Sequence, residues 1–130
     1  MTKEEHILYW SKQVEEDFDC ANVLYQANHF AQSLFWAHLA LEKLSKALWV
    51  KTNEGNTPQF VHNLLRLITQ TGEQFSDEQL QFINEMNAFQ NKGRYPDYAE
   101  SLEETVTKEI CEEYLIKTKE LIICLHEKLQ

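Results

Sequence analysis

Three polar side chains that can do chemistry recur at four-residue steps near the middle of the chain: His38, Glu42 and Lys46. In a helix this spacing places them along one side, where they form a polar string. A second interpretation is structural: His38 is a buried core histidine beside an exposed Glu42–Lys46 pair. Because two ligands do not make a metal site, we predict no metal here.

A second group of polar residues surrounds an Arg-Tyr-Pro-Asp-Tyr run that begins at Arg94. Asn87 and Asn91 precede Arg94 and stand one helical turn apart, while Tyr95 and Asp97 follow it. A guanidinium fixed by a rigid Tyr-Pro turn matches the shape of phosphate, so these residues predict a nucleotide or RNA phosphate site. The structural alternative is that Arg94 pairs with Asp97, the proline stops a helix and the two tyrosines fill the end of a bundle.

The motifs of self-contained hydrolases are absent from the sequence. There is no Gly-rich phosphate loop, no Gly-x-Ser-x-Gly elbow and no His-Glu-x-x-His pair. His62 follows a loop that contains Pro58 and opens a predicted helix, where we interpret histidine as a capping or packing residue. We therefore expect no cofactor.

Length and charge restrict the class of partner. The chain has 130 residues, which predicts one domain over 1–130. Its net charge of −9 argues against broad binding to DNA backbones, because such binding depends on neutralising phosphates. Residues 43–94 are the exception, with six bases against five acids, and they hold both arginines, Arg66 and Arg94. Any anion site is therefore expected near this segment.

The cysteine pattern and the hydropathy of the sequence indicate the cellular compartment of the protein. Cys20, Cys111 and Cys124 are odd in number and far apart, with no Cys-x-x-Cys pair, so we predict reduced thiols on or near the core. The chain begins with a polar run, unlike a secretory signal, and no apolar run approaches the roughly 18 residues of a membrane span. We therefore expect a cytoplasmic protein with no membrane contact.

Apolar periodicity predicts an all-α chain of about five helices. The first helix runs from a Thr2–Glu5 capping box to about Ala27. The second, from Phe30 to about Thr52, is apolar almost all round, which is typical of a central buried helix.

Three more helices complete the predicted fold. The third runs from His62 to Gly72, the fourth from Ser76 or Asp77 to about Asn91, and the last from Thr105 or Thr107 to Leu129. The last helix carries one stripe formed by Cys111, Tyr114, Thr118, Ile122, Leu125 and Leu129. Short connections between these helices favour an up-and-down antiparallel bundle.

The order of these signals resembles that of prokaryotic HEPN domains, the helical family named for nucleotide binding in higher eukaryotes and prokaryotes. The likeness rests on the Ala37–Leu48 stretch with its Glu-Lys-x-x-Lys-Ala-Leu motif, on His62-Asn63-Leu64, and on Arg94-Tyr95-Pro96-Asp97. It covers roughly residues 5 to 127. The resemblance implies an up-and-down helical bundle, often a homodimer, and often one half of a toxin–antitoxin pair with a minimal nucleotidyltransferase.

The resemblance also implies an enzymatic possibility. Many members are metal-independent ribonucleases in which an Arg, four to six other residues and a His act together at the dimer interface. Arg94 matches, but Ala99, Glu100 and Ser101 occupy the positions of that His. Our leading hypothesis is therefore a noncatalytic module that binds a nucleotide, RNA phosphate or a partner nucleotidyltransferase.

Two alternatives stay open, and both involve a homodimer. One is a ribonuclease toxin that acts through Arg94, and the other is a purely structural dimerisation bundle. Dimerisation is also expected because aromatic residues make up 12 % of the chain, including Trp10, Trp36 and Trp49, more than one modest core readily hides.

Overall fold

The computed structural model describes residues 1–58, 63–89 and 105–130. Its helices are α1 (Lys3–Ser11), α2 (Val14–Gln26), α3 (Phe30–Thr52), α4 (Leu64–Thr69), α5 (Asp77–Met86) and α6 (Lys108–Leu129), with a 3-10 turn at Asn87–Phe89. No strand occurs in these three ranges. The predicted all-α helical bundle is therefore confirmed, with α1 and α2 together forming the first of the five predicted helices.

The first predicted helix is divided, which the sequence did not indicate. A turn at Lys12–Gln13 separates α1 from α2, although neither Gly nor Pro is present there. Both helices pack on α3, and the side chain of Gln13 accepts a hydrogen bond from Lys43 of α3 at 2.8 Å. The break therefore lets the chain follow the central helix, in the way that longer helices curve around a core.

Helix α3 is the centre of the bundle, as predicted. Fourteen of its 23 residues are buried, and it contacts α1, α2, α4 and α6. Its carboxyl end is held by a lysine from α1: the Lys3 ammonium donates to the carbonyl oxygens of Val50, Asn53 and Gly55 at 2.6, 2.8 and 3.2 Å. A cation there offsets the partial negative charge of the unpaired carbonyls at a helix end.

Local capping signals fix the starts of the shorter helices α4 and α5. Ser76 and Gln79 form a reciprocal capping box at the start of α5. The predicted third helix is shorter than expected, since α4 ends at Thr69, and Gly72 follows with a φ of +72°. Its predicted first residue, His62, lies outside the described residues.

Helix α6 completes the core. The Thr107 side chain caps its start, one of the two predicted positions. The predicted stripe is confirmed, because Cys111, Thr118, Ile122 and Leu125 are buried and Tyr114 and Leu129 are partly buried. Cys111 is buried and Cys20 and Cys124 are half-buried, which agrees with the predicted position on or near the core. Among the helices of the described segments, none is both long and apolar enough to cross a membrane.

Candidate functional site

The polar string predicted on the second helix forms a buried row on α3. His38 is 1 % exposed, Glu42 5 % and Lys46 8 %. The prediction of a buried His38 is confirmed, whereas the alternative of an exposed Glu42–Lys46 pair is wrong. The physical reason is that α3 has neighbouring helices on several sides, so even its polar residues are shielded from solvent.

Lys46 connects this row to α1. Its Nζ atom lies 4.0 Å from Oε2 of Glu42 and 4.6 Å from the centre of the Trp10 ring. The four-residue step along α3 produces the ion pair, and the packing of α1 on α3 places the indole against the ammonium. An ammonium on an aromatic face gains about 0.5 to 2 kcal/mol, more when it is shielded from water. These contacts orient a cation at the edge of the core.

A second ion pair lies on the neighbouring side of α3, and sequence reasoning missed it. Lys43 Nζ lies 2.7 Å from Oδ2 of Asp17, which is 5 % exposed on α2. A signal was present: Asp17 follows Val14 by three residues and precedes Ala21 by four, so it falls on the predicted apolar stripe. The pair joins two packed helices.

Ser45 adds a further buried polar atom that the sequence did not single out. It follows His38 by seven residues, which places it on the same side of α3, and it is fully buried. Its Oγ atom makes no hydrogen bond to a described residue. Because buried hydroxyl groups usually have a hydrogen-bond partner, the Ser45 hydroxyl is unusual among the buried polar groups of α3.

Asn87 has a structural task in the described structure. Its Oδ1 atom accepts a hydrogen bond from the backbone N–H of Leu64 at 2.8 Å, and its Nδ2 atom donates to Oδ1 of Asn63 at 3.2 Å. Asn63 in turn caps α4 through the backbone N–H of Arg66. The amide predicted as a phosphate ligand is thus engaged in holding the start of α4.

The remaining predicted site residues are Asn91, Arg94, Tyr95 and Asp97, and they lie outside the described residues. Their roles stay predictions. Across the residues that the structure does describe, no three His, Cys, Asp or Glu side chains gather in a way that would hold a metal ion.

Comparison of the sequence with models of protein families gives evidence that is independent of the structure. A family model described as HEPN domain matches residues 7–129. The chain belongs to the HEPN domain family. The resemblance drawn from the motifs is therefore confirmed over nearly the whole chain.

The HEPN match includes the α3 row and the segment with Arg94. No curated protein and no solved structure matches the chain closely enough to add a relative with a known activity. Membership of the HEPN domain family is consistent with a nucleotide-related or RNA-related function or with a toxin–antitoxin role.

Proposed function

We propose that this HEPN domain binds the phosphate of a nucleotide or of RNA at a site formed by the α3 row and Arg94. The observation that carries the proposal is the burial of three ionisable side chains, His38, Glu42 and Lys46, on the central helix. Removing charged groups from water is costly, so residues of this kind in a small core are candidates for a functional role.

The members of the α3 row have different tasks in this proposal. Lys46 is the most exposed of the three and already has its ammonium oriented by Glu42 and Trp10, so it contacts the phosphate. Glu42 positions Lys46, and His38 lines the inner end of the site. A charge-assisted hydrogen bond from Lys46 to phosphate is worth about 1.5 to 3 kcal/mol.

The residues predicted around Arg94 complete the proposed site. In this proposal the guanidinium of Arg94 binds the phosphate, and Asn91, Tyr95 and Asp97 are further candidate ligands from the same sequence motif. Asn87 contributes less than the sequence indicated, because its amide is already occupied at the start of α4. With Ala99, Glu100 and Ser101 at the positions of the missing His, binding is favoured over RNA cleavage.

Trp10 provides a direct optical test because it touches Lys46. ATP, GTP and a short single-stranded RNA are titrated in turn, with intrinsic tryptophan fluorescence and calorimetry as readouts. We expect at least one of them to change the emission, and Trp10→Phe to remove that change. Trp36→Phe is the control, since Trp36 is another half-buried tryptophan, on α3.

The two arginines of the chain give a matched pair for affinity. Arg94→Ala should weaken binding by about tenfold or more, as expected for loss of a charge-assisted contact. Arg66→Ala, an exposed position on α4, should leave the affinity unchanged. No heat and no fluorescence change with any of the three ligands would remove the ligand proposal and leave a protein partner, such as a nucleotidyltransferase in a toxin–antitoxin pair.

The ribonuclease alternative makes a different prediction in cells. If the domain cleaves RNA, its expression in a bacterium arrests growth and fragments RNA, and Arg94→Ala abolishes both effects while Arg66→Ala does not. We expect no arrest. Light scattering at micromolar concentration tests the proposed homodimer, and a species of 15.4 kDa alone would contradict it.

A further inference from the structure

A groove of about 530 Å³ lies between α5 and α6, away from the α3 row. Its described lining comes from these two helices and the residue that caps α5, and it includes no residue of α3. Phe82 and Leu121 line the groove as its apolar floor, and both are buried, with 6 % and 3 % of their surfaces exposed. Any role for this groove is therefore additional to the proposed phosphate site.

The walls of the groove are acidic. Glu78 and Glu85 stand seven residues apart on α5, which places both on the groove side, and Glu120 faces them from α6. Glu78 and Glu120 are exposed and form no ion pair with another described residue. Glu85 is fixed by the hydroxyl of Tyr114, which donates to its Oε2 atom at 3.0 Å.

The same groove already accommodates one ammonium on its aromatic surface. Lys117 Nζ lies 5.9 Å from the ring centres of both Phe82 and Tyr114, and it pairs with Glu113 of the same helix at 3.2 Å. Three carboxylates against one lysine leave the lining negative. An apolar floor under negative walls suits a long cationic side chain, whose stem packs on apolar surface while its head meets carboxylates.

From this complementarity we propose that the α5–α6 groove docks an amphipathic, lysine-rich or arginine-rich segment of a partner protein. Nucleic acid is a poor occupant, since its phosphates are repelled by Glu78, Glu85 and Glu120. A protein segment matches both features of the groove: apolar side chains rest on Phe82 and Leu121, and basic side chains pair with the walls.

The test uses a fluorescein-labelled helical peptide of leucine, lysine and alanine with the full-length protein. We expect the double variant Glu78→Lys and Glu120→Lys to weaken binding by about tenfold or more at physiological salt. The control Glu15→Lys and Asp19→Lys makes the same charge change on exposed positions of α2 and should alter affinity by about twofold at most. Circular dichroism confirms that both variants keep their helices.

Two outcomes would overturn the docking proposal. The first is an equal loss of affinity in the α5–α6 variant and the α2 variant, which would mean attraction to net charge alone. The second is equally tight binding of a lysine and glycine peptide without leucine, which would remove any role for the apolar floor. Amide chemical-shift changes confined to α5 and α6 are the supporting result, and neither reversal affects the phosphate titrations.

Discussion

The ammonium of Lys43 lies 2.7 Å from a carboxylate oxygen of Asp17, and this contact joins the central helix α3 to α2. The Asp17 side chain is 8 % exposed, whereas that of Lys43 is 22 % exposed. Removing one partner of a shielded ion pair leaves the other charge without compensation, which costs more than the pair itself contributes. The pair is therefore a sensitive point of the fold.

We predict that Asp17→Asn lowers the free energy of unfolding by about 2 kcal/mol, somewhat less than for a fully buried pair because Lys43 keeps partial access to water. Urea denaturation followed by circular dichroism measures the change. Asp19→Asn is the matched control, since Asp19 is exposed on the same helix and should shift stability by less than about 0.5 kcal/mol. Equal losses of stability in the Asp17→Asn and Asp19→Asn variants would contradict a stabilising role for the Asp17–Lys43 contact.

Substitution of Asn87 distinguishes a role in capping α4 from a role in binding a ligand. Asn87→Ala removes the acceptor for the Leu64 N–H, so we expect a loss of about 1 kcal/mol, similar to the loss of a helix cap. Asn22→Ala on α2 is the control, because its amide is exposed and only donates to the Phe18 carbonyl one turn earlier. Unchanged stability together with weaker nucleotide binding would contradict the capping role and restore Asn87 as a ligand.

Lys3 is expected to stabilise the carboxyl end of α3. Lys3→Ala removes an ammonium that donates to three carbonyl oxygens, and a loss of about 1 kcal/mol corresponds to a melting temperature lower by about 4 °C. Lys12→Ala is the comparison, because Lys12 is exposed at the end of α1. A melting temperature unchanged by Lys3→Ala but lowered by Lys12→Ala would be the opposite of this expectation.

The raised pKa of Tyr114 predicts that the free energy of unfolding falls at alkaline pH. Burial, and then the hydrogen bond to Glu85, raise the pKa of Tyr114 above its usual 10.0. A raised pKa means that the folded state favours the protonated phenol, so this stabilisation is complete below pH 10 and is lost as pH rises through the folded value. Burial also raises the pKa of the Cys111 thiol, which adds a loss of the same sign above its usual 9.0.

The free energy of unfolding is measured with urea between roughly pH 8 and pH 11. This range includes the ordinary pKa values of a cysteine thiol, 9.0, and a tyrosine phenol, 10.0. Tyr114→Phe should reduce the alkaline decline, although it lowers stability at neutral pH by removing the bond to Glu85. Tyr9→Phe, at an exposed position on α1, should keep the decline of the unaltered protein. An identical pH dependence in both variants would exclude Tyr114 as its source.

The elements predicted well are those with local signals. The caps at Ser76 and Thr107 involve only neighbouring residues. The apolar residues around all sides of α3 predict a central helix from the sequence of that helix alone. The family resemblance is likewise contained in short motifs, and the match over residues 7–129 confirms it. Such features depend on contacts within a few residues, which periodicity and capping rules describe directly.

The features that sequence reasoning missed depend on contacts between distant segments. The alternative in which Glu42 and Lys46 form an exposed pair follows from their charge, but neighbouring helices shield α3 where these residues lie. The hydrogen bond that Asn87 accepts from the Leu64 N–H is also not evident from the sequence, because Leu64 stands 23 positions earlier. Charge and spacing along one helix do not reveal which other helix will cover it.

The central position of α3 has a consequence for hydrogen exchange. Because α3 is packed on several sides, we expect the amide protons near His38 and Ser45 to exchange mainly when the whole bundle opens, and therefore to report the global free energy of unfolding. A ligand that binds the native α3 row but not the unfolded chain would slow this exchange by a factor of 1 + [L]/Kd, where [L] is the concentration of free ligand. The polar row therefore lies on the central helix of the described fold, where the same amide protons would measure both ligand binding and global stability.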